Sequence, residues 1–232
     1  MAGAACKRRN RSSRLRFITV HPPEGRVRIA APERMELDII RLYAISKLPW
    51  IRRQQATLRA QQRETLRQYR DRESHEVRGT RYLLKVVERV GAPKVELRQR
   101  TLLMSVRPGT SSEQRHALMA QWQRAQLRET AEPMMAKWSR ALKVDAEQLF
   151  VRTMKTKWGS CNHLARTIRL NTELVKKPLR CLDYVVLHEC AHLLEPTHGQ
   201  RFRALLDRYL PQWSHVRDEL NHAPLGYVQW KC

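Results

Sequence analysis

The chain has 232 residues and carries 45 Lys and Arg against 22 Asp and Glu, a formal charge of +23. That length admits one large or two small domains. No run approaches 18 apolar residues, which excludes a membrane-spanning helix. The charge favours polyanions or anionic substrates, unless it is only a solvated surface. Residues 1–100 hold 25 basic and 10 acidic side chains, the remainder 20 and 12. Five cysteines, Cys6, Cys161, Cys181, Cys190 and Cys232, form no C-x-x-C pair. This pattern predicts reduced thiols and a cytoplasmic protein. Met1 to Arg16 lacks the apolar run of a secretory signal.

Residues 1–13 read as a disordered basic tail. A β-rich region with helices is expected over 14–109. Leu15 to Val20 and Arg26 to Ala30 are predicted strands of a hairpin, turning through Pro22-Pro23-Glu24-Gly25. Pro32-Glu33 opens a helix with Leu37, Ile40, Leu42 and Tyr43 as its apolar stripe. Pro49 opens another, poor in apolar residues. Along it and beyond, Arg52, Arg53, Arg59, Arg63 and Arg67 are candidate nucleic-acid contacts, or else a solvated face. Short strands are expected at 82–87, 94–97 and 102–106. Pro108-Gly109-Thr110-Ser111-Ser112 marks the expected boundary of a second domain, 110–232.

A long amphipathic helix follows, from about Ser112 to Leu142, with Pro133 as a possible kink. Leu149 to Thr156 alternates as a half-buried strand does. Trp158 to His163 is predicted to turn and 167–172 to return as a strand. Lys177-Pro178 introduces the next helix. Thr197-x-x-Gln200 has the form of a capping box for a helix bearing Phe202, Leu205, Leu206 and Tyr209. Trp213, Val216 and Leu220 mark a last helix.

The helix after Pro178 carries His188-Glu189-Cys190-Ala191-His192, an H-E-x-x-H motif. Residues four apart lie on one helix face, so both imidazoles can share one zinc ion. Glu189 is offset by about 100° and can take a proton from zinc-activated water. Glu195-Pro196 ends the helix and lets the chain bring His198 back as a third ligand. Three protein ligands leave a position open, the catalytic pattern of zinc sites. The flanking Leu182, Tyr184, Val185, Val186, Leu187, Leu193 and Leu194 place these polar groups in a buried helix, where they need partners.

Lys155-Thr156-Lys157-Trp158-Gly159-Ser160-Cys161, Leu170-Asn171, Asp183 to Glu189, and His198 with Phe202 together resemble the YgjP-like family of bacterial metal-dependent hydrolases, in the zincin group. The chain is similar, more distantly, to SprT-like proteases. The resemblance implies an α+β fold with a zincin-like C-terminal catalytic domain. It also implies His188, His192 and His198 as ligands of one Zn2+ per chain, and Glu189 as catalytic base. The pattern departs from metzincins, which place glycine where Glu195 stands.

The activity expected is that of a zinc metallopeptidase acting on peptide or protein. Trp158, Gly159 and Ser160 are candidate substrate contacts. A strand beside the metal helix can pair with an extended peptide. His163, His215, His222 and Tyr227 are oxyanion-donor candidates by residue type. Asp183 is either a carboxylate behind the ligands or a solvated first-turn residue. Two alternatives stay open. One is a zinc-dependent nucleotide phosphoanhydride hydrolase, held by Arg and Lys because no phosphate loop is present. The other is a nucleic-acid-binding protein with structural zinc, against which Glu189 argues.

Overall fold

The computed structural model describes residues 5–8, 17–21, 25–60, 67–154 and 157–222, with backbone alone for 5–8, 17, 21, 57–60 and 222. The chain divides into two compact units, Met1–Arg63 and Glu64–Cys232. Its architecture is mixed α+β with six α-helices among the described residues.

In the first unit, β1 (Ala5–Arg8), β2 (Phe17–His21) and β3 (Arg26–Ala31) form one sheet in the order β1-β3-β2. β2 and β3 make the expected antiparallel hairpin, with Val20 opposite Val27. β1 runs parallel to β3, inside the stretch expected to be a tail. The rest of 1–13 lies outside the described residues. Helices α1 (Leu37–Ser46) and α2 (Leu48–Ala60) follow. Only Ile40 of the α1 stripe is buried, joining Ile29 and Ala31 in a small core. Leu37 and Leu42 stay 51% and 68% exposed, because short strands within this unit cover one edge of the stripe.

The second unit opens with β4 (Ser74–Val77), β5 (Thr80–Glu88), β6 (Lys94–Leu97) and β7 (Thr101–Val106), ordered β4-β5-β7-β6. β4 was not foreseen, because Ser74-His75-Glu76-Val77 carries little apolar signal. It pairs with β5 across Arg78-Gly79, whose φ angles of 52° and 77° make a tight hairpin turn. Backbone bonds from Arg78 to Val175 and from Gly79 to Lys176, 2.8 and 2.9 Å, dock this turn on the 3-10 helix Thr172–Lys176.

Helix α3 (Ser112–Leu142) starts at the capping box of Ser111 and Gln114 and runs through Pro133. Its 31 residues cover about 46 Å at 1.5 Å each. One helix thereby serves two cores. Met119 packs with Leu84, Leu102 and Met104 of the four-stranded sheet, whereas Leu127, Ala131, Trp138 and Leu142 enter the larger C-terminal core. Both cores lie in the second compact unit, Glu64–Cys232.

Strands β8 (Gln148–Arg152), β9 (Gly159–Asn162) and β10 (Thr167–Asn171) form the third sheet, ordered β8-β10-β9. The predicted turn at 158–163 is therefore an edge strand, antiparallel to β10, and the reversal comes later. There Asn162 Oδ1 accepts from the amides of Leu164 and Ala165. α4 (Leu179–Ala191) lies against this sheet, followed by α5 (Gln200–Tyr209) and α6 (Trp213–His222). α5 is capped at Gly199 and not by the predicted Thr197 box.

Candidate metal centre

Helix α4 is buried along most of its length, with Leu182, Val186, Leu187 and Cys190 at 2% exposure or less. Its regular turns end at Ala191, with His192 as the C-cap. Glu195 continues the turn by donating its amide to the Ala191 carbonyl at 2.9 Å. The helix thus stops four residues before the Glu195-Pro196 break read from sequence. The chain then reverses, and His198 returns to the same face.

The three histidines converge. One ring nitrogen from each of His188, His192 and His198 lies within 4.8 Å of the others. The closest pair is Nε2 of His188 and Nε2 of His198, at 3.0 Å. Phe202 of α5, 2% exposed, lies behind all three rings, with centroid separations of 4.9, 4.6 and 4.9 Å. The His192 Nδ1 sits 3.0 Å from the Glu195 carbonyl. A carbonyl only accepts, so Nδ1 carries the proton and Nε2 keeps its lone pair. The Tyr184 hydroxyl lies 3.5 Å from Nδ1 of His188.

Burial first, then the neighbouring His192 and His198, pushes His188 down to about 3. Burial likewise lowers His192. Neutral rings are the form that binds a cation. Two neutral rings facing each other at 3.0 Å need a shared proton or a shared cation between them, so the donor set fits a metal.

Glu189 is 5% exposed and projects between α4 and β9. Burial pushes its carboxyl up to about 7, opposed by the charge of Lys157. It shares with the triad a cleft of about 540 Å³. Trp158, Gly159 and Ser160 line one wall, and His163 lies with them. Arg217, Leu220 and Asn221 of α6 close another side. Sequence marks Leu220 as part of a last helix but places none of the three at the cleft, which α6 reaches only through tertiary packing. A larger cavity of about 770 Å³, lined by Arg67, Tyr69 and His116 among others, contains none of the triad.

Other expected residues stand elsewhere. Asp183 accepts from Trp138 Nε1 at 2.7 Å and Lys137 Nζ at 3.3 Å, so it clamps α4 to α3. Tyr184, not Asp183, is the polar partner behind a histidine. His215 is exposed and does not line the cleft. Tyr227 and the side chain of His222 lie outside the described residues. Arg52 and Arg53 are exposed on α2, whereas Arg67 belongs to the second unit, 3.8 Å from Glu73. The Arg59 side chain and Arg63 lie outside the described residues.

Asn171, noted in sequence beside Leu170, organises the approach to the cleft. Its Nδ2 donates to the carbonyls of Met154 and Lys157, both at 2.9 Å. Its Oδ1 accepts from the amides of Met154 and Glu173, both at 3.3 Å.

The model of the YgjP-like metallopeptidase domain matches residues 16–223. The chain belongs to the YgjP-like metallopeptidase family. Family membership makes it a zinc metallohydrolase and gives it peptide or protein substrates. No curated protein matches it in sequence. Among solved structures it is similar to the metallopeptidase zymogen abylysin of Pyrococcus abyssi, at 19% identity and a TM-score of 0.37, covering 39% of this chain and 90% of that one. It is also similar to the zymogen jannalysin of Methanocaldococcus jannaschii, at 22% identity and 0.36, covering 39% and 86%. No helix among the described residues is long and apolar enough to cross a membrane.

Proposed function

We propose that His188, His192 and His198 hold one zinc ion through Nε2, and that Glu189 is the general base of peptide-bond hydrolysis in a zincin-like site. The observation that carries this reading is the convergence of three histidine nitrogens beside a buried carboxylate in one cleft. Bound zinc supplies Lewis acidity, polarising a carbonyl and lowering the pKa of water to about 7.

The protein groups do the rest. The Glu195 carbonyl and the Tyr184 hydroxyl accept from Nδ1–H of His192 and His188 and so aim both Nε2 lone pairs inward. Phe202 holds the three rings apart from solvent on their inner side. Glu189 takes the proton of the attacking water and returns it to the leaving amine. Its raised pKa suits both directions of transfer near neutrality. The outer edge of β9 offers unpaired backbone groups to an extended peptide, with Trp158, Gly159 and Ser160 along that rim. Three histidines with a carboxylate beside them match the catalytic pattern of zinc sites, since structural sites use four protein ligands.

Metal analysis and peptide hydrolysis test this together. Each of His188→Ala, His192→Ala and His198→Ala should lose zinc. Glu189→Gln should keep zinc and lose about 10²–10⁴-fold in kcat. Equal zinc in the wild type and in His188→Ala/His192→Ala eliminates the site. Nucleotide hydrolysis that needs zinc and Glu189, without peptide hydrolysis, replaces the peptide substrate with a phosphoanhydride.

A further inference from the structure

Gly159 is buried, and it is paired with Leu170 in the antiparallel register of β9 and β10. Its backbone does not require glycine. The glycines at positive φ are Gly25, Gly79, Gly91 and Gly109, and Gly159 is not among them. What requires glycine there is Glu189. A Cβ built on Gly159 would lie 2.6 Å from Glu189 Oε1, 2.8 Å from Cγ and 3.0 Å from Cδ. All three distances are at or below the limit at which something must shift. The carboxylate end of the side chain therefore lies directly on the bare backbone of β9.

Glu189 has no room to retreat. Its helix neighbours Val186, Leu187 and Cys190 are at 0% exposure, so α4 cannot rotate without disturbing the core. The strand cannot retreat easily either. Asn171 ties the segment leading into β9 to the end of β10 by bonds to Met154 and Lys157. We infer that Gly159 is a positioning residue: its missing side chain leaves the slot in which the Glu189 carboxylate rests beside the histidine triad. The inference builds on the reading of Glu189 as base. It gives Gly159 a part different from the substrate contact read from sequence.

Two measurements test it. The first is a double-mutant cycle by thermal unfolding of the metal-free protein, with Gly159→Ala, Glu189→Ala and the double variant. In the Glu189 background, Gly159→Ala should lower Tm by about 2–12 °C, the usual effect of overpacking a buried site in a domain this size. In the Glu189→Ala background the three nearest atoms are gone, and the drop should shrink to about 1 °C or less. Equal drops in both backgrounds overturn the inference. The second uses the zinc-loaded enzyme. Gly159→Ala should retain its zinc and lose about 10²-fold in kcat, the scale of a 1 Å misplacement, with KM nearly unchanged. A variant with wild-type kcat, or with only KM raised, overturns it. Full activity in Glu189→Gln removes the base reading and this inference with it, whereas an inactive Glu189→Gln beside a fully active Gly159→Ala removes this inference alone.

Discussion

Phe202→Ala removes the apolar backing of the triad, and its cost can be worked from the packing. The ring is 2% exposed and meets three imidazoles at centroid distances of 4.6 to 4.9 Å. Truncating a buried Phe costs about 3–5 kcal/mol, more where the walls cannot collapse. Here the walls are α4 and α5, and the histidine rings can tilt into the space, which favours the lower end. For a domain of this size each kcal/mol moves Tm by about 2–4 °C, so a fall of roughly 6–20 °C is expected. Urea unfolding of the metal-free protein checks this, with the midpoint falling at constant m. Phe202→Leu keeps most of the volume and should fall between wild type and Ala. The same variants should bind zinc about 10–100-fold more weakly, because rings free to tilt no longer hold their nitrogens together. A Phe202→Ala midpoint equal to wild type, or unchanged zinc affinity, refutes the reasoning.

Tyr184→Phe removes one hydroxyl beside Nδ1 of His188 and should weaken zinc binding by about tenfold, read by competition with a chromophoric chelator. Asn171→Ala removes four hydrogen bonds, to Met154, Lys157 and Glu173. Losing these part-buried bonds should cost about 1–3 kcal/mol in urea unfolding and lower peptide hydrolysis by loosening the β9 rim. Cys181 is 1% exposed, and burial, with Glu219 nearby, pushes its thiol up to about 11. Alkylation of the native protein at pH 8, followed by mass spectrometry, should leave Cys181 unmodified until urea is added, because the thiolate is the reacting form.

Much of the site was legible from sequence because the spacing of helical residues is a local property. His188 and His192 share a face by the pitch of α4 alone, and the apolar residues around them announce burial. The antiparallel hairpin of β2 and β3 and the 31-residue run of α3 also follow from local patterns of apolar and turn residues. Whatever depends on contacts distant in sequence was not legible. Ser74-His75-Glu76-Val77 becomes a strand only because β5 lies beside it. Trp158 to His163 reads as a turn from its Gly, Ser and Asn, yet pairing with β10 draws Gly159–Asn162 into an edge strand. From sequence Asp183 stands open between a carboxylate behind the histidines and a solvated first-turn residue. The helix faces it toward Trp138 of α3, and Tyr184 takes the place behind His188. Periodicity states which residues share a face, but what that face meets is decided by packing between elements. For the same reason the sequence names Glu189, while only the tertiary structure lays its carboxylate against the bare backbone of Gly159.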